Sequence, residues 1–437
     1  MIDRSSTALE IAVAVRSGAV SAIEVASAAL SRIETDNPQL GAFTAVTAER
    51  ALTEAAHVDA VVEGGGDPGP LAGVPFAVKN LFDITGLATL AGSKINADHS
   101  PAKHDAVLIQ RLNKTGAVLV GALNMGEYAY DFTGENCHYG PSRNPHDPSR
   151  MSGGSSGGSG TAAAAGLVPL TLGSDTNGSI RVPSSFCGLF GLKPTFGRLS
   201  RKGTFPFCYS LDHLGPLARS AADLAASYDA MLEPGKASPA TPMLGQGGGG
   251  LRIAVAGDYF AKGAMPEAFE AVETVAAALG AKDTVIIPEA ARARAAAYVI
   301  TTAEGGNLHL ERLKTRAMDF DPATRDRLLA GAMVPASWYL QAQRFRRWYH
   351  DRVMELFAGI NIILAPATPC TADRSADHGA GRGGDAGQAQ YRHLHAAAVT
   401  DWSANRRRAG STPWGLTDRR SGDRRTWAGG SGPARCG

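Results

Sequence analysis

Two glycine-serine segments lie in the middle of this 437-residue chain: GGSSGGSG at residues 153–160 and GSDTNGSIR at residues 173–181. Residues 161–172 between them, TAAAAGLVPLTL, are small and largely apolar. Glycine allows positive φ and close backbone approach, so two such loops around a buried segment can bring serine hydroxyls and free N–H groups to one point. The pairing predicts a site that attacks a carbonyl group.

The composition predicts a globular protein that can bury a large core, because 44% of the residues are apolar. The five cysteines are scattered and odd in number, so they indicate neither a disulfide framework nor a zinc site. We therefore expect no cofactor, no metal and a reducing, cytoplasmic setting. No apolar run reaches about 18 residues and no signal-peptide pattern opens the chain, so neither a membrane partner nor export is expected.

The positive charge of the chain is concentrated at its C-terminal end. Residues 371–437 hold 11 of the 43 basic residues but only 6 of the 41 acidic ones, which leaves the remainder slightly acidic. Binding of nucleic acid requires clustered lysine and arginine on the folded part. We therefore expect no nucleic-acid partner.

Alternating strand and helix patterns predict the α/β class, with a central mixed or largely parallel sheet covered by helices on both faces. Residues 5–35 have the pattern of two amphipathic helices, the second opened by Ser21 and Glu24 at the spacing of a capping box. Strands are predicted at residues 74–78, 117–121, 167–172, 253–256, 284–287 and 360–364, and helices near residues 107–112, 160–166, 219–232, 265–279, 291–304 and 336–357.

The character of the sequence changes at about residue 371. Residues 371–437 contain no Lys, Glu, Ile, Phe or Met and are rich in glycine and arginine. Such a segment cannot bury enough apolar surface to offset the entropy lost on ordering. We therefore predict a domain over residues 1–370 and a disordered tail over residues 371–437.

Three interpretations of residues 153–160 compete on local sequence alone. Gly/Ser runs are typical of flexible linkers, but this one leads directly into an apolar run. A phosphate-binding P-loop needs Gly-Lys-Ser/Thr at its end, and the next lysine is Lys193. The third interpretation is the G-x-S-x-G nucleophile elbow of α/β-hydrolases, with Ser155 as the nucleophile and His213 as the base.

The complete pattern resembles the amidase signature family. Its members carry a GGSSGGS loop, then GSDTGGSIR about twenty residues later, then FCGxxGLKPTxGR. This chain has FCGLFGLKPTFGR at residues 186–198, and the family's upstream lysine motif appears as GVPFAVKN at residues 73–80. The resemblance covers about residues 5–370 and implies the amidase signature fold.

The resemblance implies a Ser-cisSer-Lys triad, with Ser179 as the nucleophile, Ser155 as the bridging hydroxyl after a cis peptide bond, and Lys79 as the base. This assignment is chemically reasonable. An unperturbed lysine is only about 0.1% neutral at pH 7.4, so Lys79 must be buried to act as a base. Its place at the end of an apolar strand provides that burial. Ser155 would then relay the proton of Ser179 to Lys79 and on to the leaving amine.

The second loop and its surroundings supply the other site predictions. Backbone N–H groups of this loop are expected to form the oxyanion hole, where one lost donor typically costs roughly 100- to 1,000-fold in rate. Arg181 suits either a substrate carboxylate or an anchoring contact with Asp175. The oxyanion donors predicted are those of Thr176, Asn177, Gly178 and Ser179, and the predicted substrate-binding residues are Arg181, Tyr128 and Gly154.

Within the family, residues 121–130, 136–141, 198–212 and 341–348 look most like the AtzE-type amidohydrolases, the carboxybiuret hydrolases. That resemblance implies a small anionic ureido amide as substrate, release of ammonia, and a small partner protein, and it leaves room for a homodimer. Asn177 departs from the family's common DTGGS sequence. An amide side chain there would narrow the loop and add a hydrogen-bonding group, which suits a small polar substrate.

Two alternatives stay open on the sequence. One is the ammonia-producing component of a glutamyl-tRNA amidotransferase, a glutaminase that supplies ammonia to a partner. The other is a catalytically inactive scaffold, because the resemblance stops near residue 370, where family members continue with a further apolar segment. The predicted strand at residues 360–364 has the pattern of one buried on both faces, so losing its neighbours would expose large side chains at roughly 1.5–3 kcal/mol each.

We predict that residues 371–437 are an out-of-frame reading of a GC-rich gene, because their arginine, glycine and alanine content replaces the apolar continuation that the family has. Translating the coding DNA in the other two frames should restore an apolar, family-like C-terminus. If neither frame does so, the prediction is wrong.

Overall fold

The computed structural model describes residues 2–235 and 237–375. Most of the predicted tail, residues 376–437, lies outside the described residues. The first five residues of that tail are described, and they contact the body of the protein. The backbone N–H of Met151 donates to the Asp373 carbonyl at 2.9 Å, and Ala372 and Ser375 are buried.

A mixed six-stranded sheet lies at the centre, in agreement with the predicted α/β class. Its strands are β1 (Phe43–Val46), β2 (Pro75–Lys79), β3 (Val118–Leu123), β4 (Leu170–Asp175), β5 (Phe190–Gly191) and β6 (His213–Ala218). Their order is β1-β3-β2-β4-β6-β5. The inner strand β2 is parallel to both β3 and β4, whereas the pairings of β1 with β3, β4 with β6 and β5 with β6 are antiparallel.

Helices pack against this sheet, and the predicted helices are present. The capping box at Ser21 forms as predicted, with the Glu24 N–H donating to the Ser21 hydroxyl at 3.1 Å and the Ser21 N–H donating to the Glu24 carboxylate at 2.9 Å. The helices are α1 (Ala8–Arg16), α2 (Ala22–Leu40), α3 (Ala48–Glu63), α4 (Val107–Asn113), α5 (Gly157–Ala164), α6 (Arg181–Phe186), α7 (Ala221–Met231), α8 (Pro266–Leu279), α9 (Ala290–Leu308), α10 (Leu310–Thr315), α11 (Pro322–Ala332) and α12 (Ala336–Leu356).

Three later strands form a separate parallel sheet in the order β8-β7-β9. They are β7 (Ile253–Ala256), β8 (Asp283–Val285) and β9 (Ile362–Leu364). The expectation that the strand near residues 360–364 is buried on both faces is wrong. All three residues of β9 are only half-buried, because β9 lies at the edge of this small sheet and pairs with β7 on one side.

The strands that carry the site are the most deeply buried ones. Every residue of β2, β3 and β4 is buried, as expected for inner strands covered on both faces. Because β2 and β4 are parallel neighbours, their carboxyl ends lie at the same edge of the sheet. Lys79 ends β2 and Asp175 ends β4, so the fold brings the two sequence motifs together there.

In the part of the chain that the structure describes, no helix has both the length and the apolar character needed to cross a bilayer.

Gly158 lets helix α5 approach strand β3 closely, and we predict that Gly158→Ala destabilises the protein. A Cβ at this position would lie 2.6 Å from the backbone N and O of Asn124, atoms that cannot move aside easily. Overpacking of this kind typically costs about 1–3 kcal/mol. Chemical denaturation should show a lower unfolding midpoint.

The matched control is Gly248→Ala, since a Cβ at Gly248 has no neighbour within 4 Å. An unfolding midpoint for Gly158→Ala equal to that of Gly248→Ala would contradict the proposed close packing.

Candidate active site

The amine of Lys79 lies among three serine hydroxyls. Lys79 is fully buried at the end of β2, and its Nζ is 2.7 Å from Ser155 Oγ, 2.9 Å from Ser174 Oγ and 3.0 Å from Ser156 Oγ. The structure therefore brings together Lys79 and Ser155, which lie 76 positions apart in the sequence. It also adds two hydroxyls, those of Ser156 and Ser174, that the sequence analysis did not assign.

Burial lowers the pKa of Lys79 to about 7, although the more distant carboxylates of Asp175, Asp212 and Asp131 act in the opposite direction. A group with this pKa is about half neutral at pH 7, compared with roughly 0.1% for an exposed lysine. Lys79 can therefore accept a proton from a hydroxyl at neutral pH. This is the property that a general base requires.

The loop before α5 holds Ser155 against Lys79. The Gly154–Ser155 peptide bond is cis. On either side of it, the Gly154 N–H donates to the Phe132 carbonyl at 2.9 Å, and the Ser155 carbonyl accepts from the Gly126 N–H at 3.1 Å. These backbone contacts fix the position of the Ser155 hydroxyl.

Ser156 connects the two glycine-serine segments. Its hydroxyl donates to the Ser174 carbonyl at 3.2 Å and accepts from the Ser174 N–H at 3.2 Å. Its own N–H donates to the Ser179 carbonyl at 3.3 Å. The sequence did contain a signal for Ser174, since it is at the end of a strand parallel to the strand of Lys79, but the exact start and end of β4 were needed to use it.

Ser179 is buried in the turn between β4 and α6, next to the loop of Ser155. Among the described residues, the Ser179 hydroxyl makes no hydrogen bond. The structure thus pairs Lys79 with Ser155 directly, and it links Ser179 to their loop through the backbone of Ser156.

Asp175 holds the second loop in place. Its fully buried carboxylate accepts from the backbone N–H groups of Gly178 at 2.8 Å and Ile180 at 3.2 Å. It also pairs with Arg181 at 2.9 Å and with Lys193 at 2.9 Å. Although burial alone raises it, the charges of Arg181 and Lys193 hold the pKa of Asp175 well below its usual range.

These contacts correct two predictions. The Gly178 N–H points to the Asp175 carboxylate, so it is not free to bind an oxyanion. Arg181 uses Nε and Nη2 to hold the same carboxylate, which corresponds to the anchoring alternative and not to substrate binding. Lys193 reinforces the anchor, since its amine also donates to the Thr176 carbonyl at 3.2 Å.

Three of the predicted oxyanion donors are available. The backbone N–H groups of Thr176, Asn177 and Ser179 donate to no acceptor within the described part of the chain. The side chain of Asn177 is held away from them, since its Nδ2 donates to Thr301 Oγ1 on α9 at 2.9 Å. The loop therefore presents N–H donors beside Ser179.

Tyr128 and Gly154 have other roles than the predicted contact with substrate. Tyr128 is fully buried, its hydroxyl donates to Asn96 Oδ1 at 3.0 Å, and its ring centroid is 4.0 Å from that of His309. The Asp131 carboxylate occupies the position where a Cβ on Gly154 would lie, and the Gly154 N–H is already bonded. Packing therefore accounts for both residues.

His213 does not have the position required by the hydrolase-elbow interpretation. It lies on β6, and its Nδ1 is 2.6 Å from the Leu211 carbonyl. Burial, and after it the charge of Lys193, lowers the pKa of His213 to about 3. Ser155 is instead hydrogen-bonded to Lys79, and it follows a loop, whereas a nucleophile elbow follows a strand.

Comparisons with known proteins agree with this geometry. The family model described as Amidase matches residues 24–422. AtzE of Pseudomonas sp. (strain ADP), a 1-carboxybiuret hydrolase component, is 56% identical over 83% of this chain and 82% of its own length. The GatA-type component of the glutamyl-tRNA(Gln) amidotransferase of Chromohalobacter salexigens is 37% identical over 84% of this chain and 82% of its own length.

Solved structures give the same result. A chain from an unexpected vestigial protein complex, which reveals the evolutionary origins of an s-triazine catabolic enzyme, superimposes with a TM-score of 0.87. It is 51% identical, and the match covers 90% of this chain and 89% of that chain. A 6-aminohexanoate cyclic dimer hydrolase has a TM-score of 0.80 at 26% identity, with 92% and 89% covered.

We predict that Asp175→Asn strongly destabilises the protein, because it leaves Arg181 and Lys193 as buried cations without their carboxylate. Removing one partner of a buried ion pair typically costs about 3–5 kcal/mol. Thermal unfolding followed by circular dichroism measures the change. The control is Asp67→Asn, at an exposed carboxylate; equal unfolding midpoints for the two variants would show that the carboxylate does not hold the loop.

Proposed function

The chain belongs to the amidase family, hydrolases of carbon–nitrogen bonds other than peptide bonds, and we propose that it uses Ser179, Ser155 and Lys79 to hydrolyse a small ureido amide. The observation that carries the proposal is the buried Lys79 amine, 2.7 Å from the Ser155 hydroxyl and with a pKa lowered by burial to about 7. A base of this kind can activate a serine at neutral pH.

The proposed reaction has two stages. Ser179 Oγ attacks the amide carbon while its proton passes through Ser155 to Lys79, and the carbonyl oxygen becomes an oxyanion held by the N–H groups of Thr176, Asn177 and Ser179. The C–N bond then breaks as the proton returns to the leaving nitrogen, which releases ammonia and leaves an acyl-enzyme. Water attacks the acyl group by the same proton route and frees the acid and Ser179.

The substrate class that we propose is a carboxylate-bearing ureido amide such as carboxybiuret or a biuret-like compound. Support comes from the 56% identity to the 1-carboxybiuret hydrolase component, which exceeds the 37% identity to the amidotransferase component. Glutaminase activity in an ammonia-supplying complex would instead favour the amidotransferase alternative. Loss of any turnover in the purified protein would favour the scaffold alternative.

We also propose that the chain works with a small partner protein. The 56% identical relative is named as one subunit of its enzyme, and the 51% identical structure belongs to a complex. Light scattering on the chain purified with its native neighbours should give a mass above that of the 45.3 kDa chain or of its homodimer.

Lys79→Ala and Ser179→Ala should each lower ammonia release from biuret-like and simple amides by at least about 1,000-fold, because each removes a group that acts in bond breaking. For the wild type, kcat/KM should rise as the pH increases through about 7, since the base is active only after Lys79 loses its proton. A coupled ammonia assay measures both effects.

The control is Lys202→Ala, which removes an exposed lysine and should leave turnover unchanged. If His213→Ala abolishes turnover while Lys79→Ala retains it, the hydrolase-elbow mechanism replaces this one.

A further inference from the structure

A cavity of about 270 Å³ lies beside the proposed base. Ser174 forms part of its wall, and the Ser174 hydroxyl is 2.9 Å from the Lys79 amine. Leu81, Ala129 and Leu214 add apolar surface, and the remaining wall comes from the segment 201–212. A molecule in this cavity would therefore lie one hydrogen bond away from Lys79.

Two charged side chains, Arg201 and Asp212, line this cavity. The Asp212 carboxylate is already satisfied, since one oxygen accepts from the Thr176 hydroxyl at 2.6 Å and the other from the N–H groups of Phe207 at 2.8 Å and Cys208 at 2.9 Å. Asp212 thus supports the cavity wall and the loop of Thr176. The charge available to a ligand is that of Arg201.

Arg201 is held in a fixed orientation with one edge free. Its Nη1 donates to the Tyr209 carbonyl at 2.7 Å, and its guanidinium carbon lies 4.9 Å from the centroid of the Phe196 ring. Its Nε and Nη2 donate to no acceptor among the residues that the structure describes. These two N–H groups form one edge of the planar guanidinium, an edge that matches the two oxygens of a carboxylate.

We propose that Arg201 binds the carboxylate of an anionic substrate in this cavity and so determines the preference of the enzyme for acidic amides. This inference rests on the proposed amidohydrolase function, and it names the residue that recognises the charge. Arg181, the other candidate for this role, has its Nε and Nη2 bonded to Asp175. The cavity is small, which limits the substrate to a compact acid.

The test compares N-carbamoylglycine, a ureido acid, with its neutral amide, N-carbamoylglycinamide. Arg201→Gln should lower the ratio of kcat/KM for the acid to kcat/KM for the neutral amide by about 10- to 100-fold, the value of a lost charge-assisted bidentate contact. Arg201→Lys keeps the charge without the planar edge, so it should lower the ratio less. Lys202→Gln, at the exposed neighbouring cation, should leave the ratio unchanged.

A binding measurement separates this proposal from the proposed reaction. Isothermal titration of N-carbamoylglycine into Ser179→Ala, with and without Arg201→Gln, should show at least about tenfold weaker binding when Arg201 is absent. Weaker binding in a protein that hydrolyses neither compound would contradict the reaction but support Arg201. Equal losses for acid and amide in an active enzyme, or no binding of the acid to Ser179→Ala, would overturn the role of Arg201.

Discussion

The burial of the Lys79 amine is the constraint on which the rest of the site depends. Strand β2 lies between β3 and β4, so its last residue is enclosed on all sides. Within the described residues Lys79 forms no salt bridge, and its contacts are serine hydroxyls. Because a hydroxyl can both donate and accept, these contacts suit the neutral as well as the protonated amine. A contacting carboxylate would have favoured the charged form and removed the base.

Asp175 shows the opposite arrangement within the same loops. Its charge is compensated by Arg181 and Lys193, so less of its field reaches Lys79. The carboxylate also fixes the turn that carries Ser179, since it accepts from the N–H groups of Gly178 and Ile180. One buried charge therefore shapes the loop, while the other group, Lys79, is left able to change its protonation state.

Motif spacing alone predicted the pairing of Lys79 with Ser155, which the structure brings into hydrogen-bond contact. It did not predict the direction of individual groups. The Gly178 N–H was grouped with three neighbours, but only the folded turn shows that it points to Asp175. Tyr128 was assigned to the pocket because of its position in the chain, whereas its ring packs in a buried aromatic cluster with His309, 181 positions later.

The sequence by itself determined the α/β class, the two glycine-serine loops, and the lysine at the end of an apolar strand, because these depend on local composition and on a period that neighbouring residues set. The tertiary structure decided which hydroxyls surround Lys79, which N–H groups remain free and which arginine faces a cavity. Each of these depends on contacts between segments far apart in the chain, such as β4 with β6, whose register no local pattern contains.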